Sequence, residues 1–430
     1  MVAKWGLLGP EFLPNGRRTR TLGLGASVRL FNDLAVPGLG GVWYCKQLLL
    51  ATIGVAVAED ARNQGAKVQN IEVANAIEAL ACRLAFGNNG WGRDARLRGR
   101  TKLRDKDDFS FLRLRQRNFY VTQPMRMATV QALPALGFVE SDSTRFNAFS
   151  CSDAGRIFIE EVTKKYRPYN RTVVDHLTKW VQGESDKLKD SRPLREVLSP
   201  LELFPKDAIS LLRERFIQGG NESQEDKERR GNALAWVDAL RIKPERLTWE
   251  VRPPKISKEH WHDLQAGALF FETRTAAIAV LDVVEAHIEN QCAGRSMSLN
   301  AEVPSALIPA IENLKSAAKK YLAFKHADKE ASTFCGECTK DDTSEILRSV
   351  VKRDGLVLRL IRDEIKPGPA FRGSVTQSNA DDEDQITPQA GSIPLPEGIS
   401  YRVRNLYLLN LDMHDELDGW LNREAGVDEA

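Results

Sequence analysis

The stretch TQPMRMATVQALPALGFVESDSTRFNAFSCSDAG, residues 122–155, carries the densest run of structural signals in the chain. Thr122-Gln123-Pro124 joins a capping hydroxyl to a proline near the first turn, the pattern that opens a helix. Met125, Thr129, Leu133 and Leu136 follow at spacings of three and four, which place them on one helical face. Gly137 ends that element. Phe138-Val139-Glu140 reads as a strand, residues 141–144 as a turn, and residues 145–150 as the returning strand, with Phe146 and Ala148 in alternation. Ser152 is placed to cap a further helix beginning Asp153-Ala154-Gly155.

The order is helix, Leu-Gly, strand, turn, strand, Ser-Asp-x-Gly, helix. It resembles the recognition helix and wing of winged helix-turn-helix proteins. The residues that carry the likeness are Thr122-Gln123-Pro124, Leu136-Gly137-Phe138-Val139-Glu140 and Cys151-Ser152-Asp153-Ala154-Gly155. The likeness is local, to about residues 115–165. Three features depart from it: Pro134 would kink or shorten the helix, Cys151 stands where the family carries Leu, and a basic segment replaces the compact helix-turn upstream. The resemblance implies that Gln123, Arg126, Thr129 and Gln131 face nucleic acid. A recognition helix brings its first residues nearest the bases, where Arg pairs with guanine and Gln with adenine. Arg145 would sit on the wing, against phosphate. The other reading is a winged helix that docks only protein.

The upstream segment points the same way. Residues 93–117 hold ten Lys/Arg against four acids, and many of the cations alternate. An extended chain would put these on one side. Arg96, Arg98, Arg100, Arg113, Arg115 and Arg117 are therefore expected to join Arg126 and Arg145 in a positive face, which supplies affinity but little sequence information. The formal charge of +2 conceals an asymmetry: residues 1–167 have 25 Lys+Arg and 15 Asp+Glu, whereas the remainder has 36 and 44. Such a division is a hint of a nucleic-acid module joined to another part.

Four parts are expected: a basic domain over 1–167 containing the winged helix, an acidic helical domain over 168–366, a linker of disordered composition over 367–398, and a short segment over 399–430. Residues 1–41 are rich in glycine turns. Helices are expected over 42–62 and 71–86, the latter capped by Asn70, and then over 172–182, 208–217, 233–241, 264–290, 304–326 and 343–366. Residues 401–404 could form a strand, and 409–422 a helix. The fold class is thus mainly α: a helical multi-domain protein with an embedded winged helix and small β wing.

Composition narrows the classes further. At 42% hydrophobic and 28% charged, the chain is ordinary for a globular protein. Its most apolar run, residues 48–58, is too short for a bilayer span and reads as a buried helix. The opening Met1-Val-Ala-Lys-Trp-Gly lacks the pattern of a secretory signal, and six scattered cysteines fit a reducing compartment, so a cytoplasmic location is expected. Cys335 and Cys338 form half of a zinc site, but a second pair is missing and free thiols are expected. Gly23-Leu24-Gly25 lacks the third glycine of a dinucleotide loop, and no Gly-Lys-Ser/Thr is present, so no cofactor is expected.

The sequence therefore reads as an accessory or regulatory protein that binds nucleic acid, in particular duplex DNA. Its acidic half would meet a protein partner or a second copy, in a bacterial DNA-processing or antiviral-defence assembly; no membrane partner is expected. The alternative is an enzyme such as a nuclease, with a site drawn from Glu250, His260, His262, Asp263 and Glu272. A nuclease needs clustered carboxylates, and none is legible.

Overall fold

The apolar run 48–58 decides where the largest core forms. In the computed structural model, which describes residues 20–116, 119–184, 191–245, 247–292, 296–371 and 393–427, this run lies within the helix Cys45–Asn63. Every residue of that helix from Cys45 to Ala58 is buried. A helix apolar on all sides belongs inside a core. No helix among the described residues is long and apolar enough to cross a membrane.

Against this central helix pack Asn70–Asn88, Asp153–Thr163, Val173–Val181 and the short turns of 126–135. Gly54 allows a close approach: a Cβ there would lie 2.6 Å from the Cβ of Ala74. Further out, Gln224–Ile242 packs on Lys206–Gln218 and on Tyr401–Met413. The last helix buries Leu406, Leu408, Leu409 and Leu411, so the chain's distant C-terminal part completes this core. Residues 31–265 and 393–427 make up this unit.

The described residues of 20–30 and 266–371 form a second unit. Its helices are Ile308–Phe324, Lys329–Glu337 and Thr343–Asp354, with the later turns of Lys258–Gln291, and Phe270, Tyr321 and Phe334 meet inside it. A three-stranded antiparallel sheet carries Glu364–Pro367 between Met297–Ser298 and Leu358–Ile361. Arg20 is held there by Asp282, by Glu285 at 2.7 Å and by Asp354 at 3.5 Å.

The described chain is mainly helical, 61% helix against 4% strand, so helix-on-helix packing governs it. The helices expected over 172–182, 208–217, 233–241, 264–290 and 304–326 are present with shifted ends. Four local expectations are corrected. The helix expected over 343–366 stops at Asp354, where Gly355 turns left-handed (φ 63°) and a hairpin follows. Residues 401–404 are helical, not a strand, and the helix expected over 409–422 is divided at Asp415 (φ 60°). Asn70 is the first residue of its helix and not the cap; its side-chain amide donates to the carbonyls of Phe146 and Phe149 at 3.0 and 2.7 Å. The glycine-rich opening contains the helix Gly25–Ala35. Each of the two units combines separate stretches of chain. Most of the linker expected over 367–398 lies outside the described residues.

Candidate nucleic-acid interface

Residues 122–155 form a broken helix, a minimal strand pair and the start of a long helix. The first part is two single turns, Arg126–Thr129 and Ala132–Ala135. Gly137 ends it left-handed (φ 72°), its N–H donating to Pro134 O and that of Phe138 to Leu133 O, both at 2.9 Å. This is the paired closure that favours glycine after a helix. Val139–Glu140 then pairs antiparallel with Ser150–Cys151. The returning strand expected over 145–150 is reduced to this, because Phe146–Ala148 is a 3-10 turn. Phe146 and Phe149 are both buried; a spacing of three suits a turn and defeats strand alternation. The Ser152 hydroxyl accepts from Gly155 N at 3.0 Å and donates to Gly137 O at 2.6 Å. Gly155 is needed there, since a Cβ would strike Phe138 O.

Both ends of the segment 125–136 are fixed inside the protein. At its start the buried Glu78 carboxylate accepts from Met125 N at 2.6 Å, Arg126 N at 3.1 Å and the Tyr120 hydroxyl at 3.0 Å. Burial pushes the Glu78 carboxyl up, opposed by those hydrogen bonds and by Arg98. At its end Arg215 donates to Leu136 O at 2.7 Å, and the fully buried Arg230 donates to Ala135 O at 3.2 Å. A recognition helix offers its first turn to the bases; here a carboxylate occupies that position. The four candidates on this segment do not share one open face. Arg126 donates to Asn75 at 2.5 Å and lies over the Phe146 ring. Thr129 is buried and donates to Arg126 O. The exposed Gln131 accepts from Arg402 at 2.5 Å. The backbone carbonyl of Gln123 accepts from Arg98 at 2.7 Å.

The basic segment is not extended either. It contains the helical turns Arg100–Arg104 and Phe111–Leu114, so alternation in sequence does not become one positive edge. Arg96 and Arg98 are 4% and 2% exposed and belong to the interior. Arg96 pairs with Asp94 at 2.8 Å and Asp418 at 2.6 Å. Arg100 donates to Trp91 O at 2.7 Å, and Arg115 pairs with Glu72. Arg117 lies outside the described residues. Arg113 is exposed, bonded to Gln116 at 3.1 Å and over the Phe119 ring. Arg145 is exposed in the loop between the short strands.

The solvent-facing cations of the segment are Arg93, Lys102, Arg104 and Arg113, none ion-paired among the described residues, with Lys106 half-buried over Phe119. Asp105, Asp107 and Asp108 are exposed beside them. Arg83, not singled out from the sequence because it lies within an apolar helix, stacks on Trp91 and Phe109 at 4.8 and 5.0 Å.

The other candidates are dispersed. Cys335 and Cys338 are free and buried; burial pushes the Cys335 thiol up to about 12 and raises that of Cys338 as well. His260 is buried on the Ala35 carbonyl at 2.9 Å, Asp263 is held by Arg229 at 2.7 Å, and Glu272 meets Lys320 at 3.0 Å. His262 and Glu250 are exposed. No group of three or more His, Cys, Asp or Glu is placed to hold a metal ion among the described residues. No family model, curated protein or solved structure matches the chain.

Proposed function

We propose that the protein binds nucleic acid, duplex DNA foremost, through phosphate contacts made by the segment 93–113 and not by reading bases with residues 123–131. One observation carries this reading: Arg93, Lys102, Arg104 and Arg113 face solvent without an ion-pair partner among the described residues. Exposed cations that outnumber the acids beside them favour a polyanion, and a duplex offers the densest line of phosphates. The helix–strand–strand–helix order of 126–163 serves in this reading as the rigid support of that surface. An accessory role within a DNA-processing assembly is the biological form of the proposal, since the candidate catalytic groups are dispersed.

The test is charge reversal in the full chain. Lys102→Glu, Arg104→Glu and Arg113→Glu together should abolish binding to duplex DNA in fluorescence anisotropy while thermal melting stays unchanged. The same charge change at Lys319, Lys329 and Lys352, which are exposed elsewhere, should leave most of the binding. Equal loss in both triple variants would mean that only net charge matters and would remove the assignment to 93–113.

A further inference from the structure

Along one side of the Asn70–Asn88 helix, Leu80, Arg83, Leu84, Gly87 and Asn88 wall an open cavity of about 220 Å³. Phe109 from the basic segment and Arg195 from the helix Arg192–Leu198 close it. Two arginines thus line one small space. Arg83 is held in place by its two rings, and its Nε is buried without a hydrogen-bond partner. The Arg195 side chain makes no hydrogen bond or ion pair among the described residues. Of the acids, Glu196 is bonded to Arg192 at 2.7 Å, and Asp107 favours the charged form of Arg83 without forming an ion pair with it. Phe109 is also set in advance, because the Trp180 indole donates to its carbonyl at 3.0 Å.

A guanidinium set against apolar walls, with a buried N–H that lacks an acceptor, favours an anion beside it. Guanidiniums match phosphate oxygens in forked geometry, and a terminal phosphate carries nearly two charges near neutral pH. The volume is below the roughly 300 Å³ at which sites for drug-sized ligands begin, so it admits a phosphate with a sugar-sized appendage and not a dinucleotide. We propose that this cavity binds the terminal phosphate of a nucleic-acid strand, with Arg83 and Arg195 on the phosphate oxygens and Leu80, Leu84 and Phe109 against the adjoining sugar. The choice of a strand end over free phosphate rests on the nucleic-acid reading above, because Phe109 belongs to the same basic segment.

The experiment compares a short duplex bearing 5′-phosphates with the same duplex bearing 5′-hydroxyls, on the full chain and on Arg195→Ala, with thermal melting to verify folding. Inorganic phosphate is titrated separately by calorimetry. The phosphate end should raise affinity about tenfold, the scale of one charge-assisted contact. Arg195→Ala should erase that difference and leave hydroxyl-ended binding unchanged. Equal binding of the two duplexes by the parent chain, or a phosphate effect that survives in Arg195→Ala, overturns the assignment while the nucleic-acid reading stands. If neither duplex binds, that reading fails; inorganic phosphate bound by the parent and lost in Arg195→Ala then supports the cavity as a phosphate site, and absence of phosphate binding overturns it too.

Discussion

Glu78 is the residue on which the local architecture depends most, and its replacement has a calculable cost. Its side chain lies at a position 2% exposed and receives three donors: Met125 N, Arg126 N and the Tyr120 hydroxyl. Glu78→Ala leaves Met125 N and Arg126 N without an acceptor, leaves the Tyr120 hydroxyl only the Cys82 sulfur at 3.2 Å, and opens space beside them. Each buried orphan costs roughly 1–3 kcal/mol. The gain from no longer burying a carboxylate offsets part of this, so the net loss should be about 3–5 kcal/mol. That is a third or more of the ~5–15 kcal/mol typical of a domain. Glu78→Gln retains one acceptor oxygen and should cost less, about 1–3 kcal/mol. The pH dependence follows from the direction of the shift. The folded carboxyl titrates above its unfolded value, so between the two values the folded state holds the extra proton. Stability from this group therefore falls as pH rises through that window, and Glu78→Gln should remove the slope. Equilibrium urea unfolding followed by tryptophan fluorescence measures both quantities. An alanine variant within about 1 kcal/mol of the parent would refute the claim that this carboxylate caps the 125–136 segment.

Other outcomes follow from the same packing. Lys46 is buried on Val197 O at 2.7 Å, and burial lowers its ammonium from 10.5 to about 8. Between those values the unfolded chain holds more protons, so the parent should gain up to about 3 kcal/mol relative to Lys46→Met as pH rises through the window; a constant difference between the two proteins would contradict this. Gly54→Val should force apart the helices Cys45–Asn63 and Asn70–Asn88, which touch at Ala74, and lower stability by about 1–3 kcal/mol or more in thermal melting; an unchanged midpoint would refute the contact. Gln131→Ala and Thr129→Ser should leave DNA sequence preference unchanged in competition binding, because Gln131 is engaged by Arg402 and Thr129 is buried; an altered preference would restore the base-reading role.

Much of the helical framework was legible because it rests on apolar periodicity within single elements. The run 48–58 reads directly as a buried helix, and Gly137 and Ser152 mark real boundaries because their roles are local: a left-handed turn and a hydroxyl cap. What could not be read depended on partners far along the chain. Nothing near residue 131 announces Arg402, and nothing near residue 125 announces Glu78. Arg96 and Arg98 look like solvent-facing cations by composition, but Asp94, Asp418 and the Gln123 carbonyl neutralise or bond them inside. The returning strand failed for a related reason: Phe146 and Phe149 both turn inward, where Asn70 holds their carbonyls. Nothing in the sequence marks Arg83, because its significance lies in Trp91, Phe109 and Arg195, which only the fold assembles.

The salt dependence of duplex binding counts the phosphate contacts themselves. If Arg93, Lys102, Arg104 and Arg113 are the phosphate contacts, the log–log slope should be about −3.6 at roughly −0.9 per contact, and affinity should fall on the order of 150-fold between about 50 and 200 mM salt. Removing Lys102, Arg104 and Arg113 by alanine should flatten the slope to about −0.9. A slope near zero in the parent chain, or one unchanged by the three substitutions, would contradict the account.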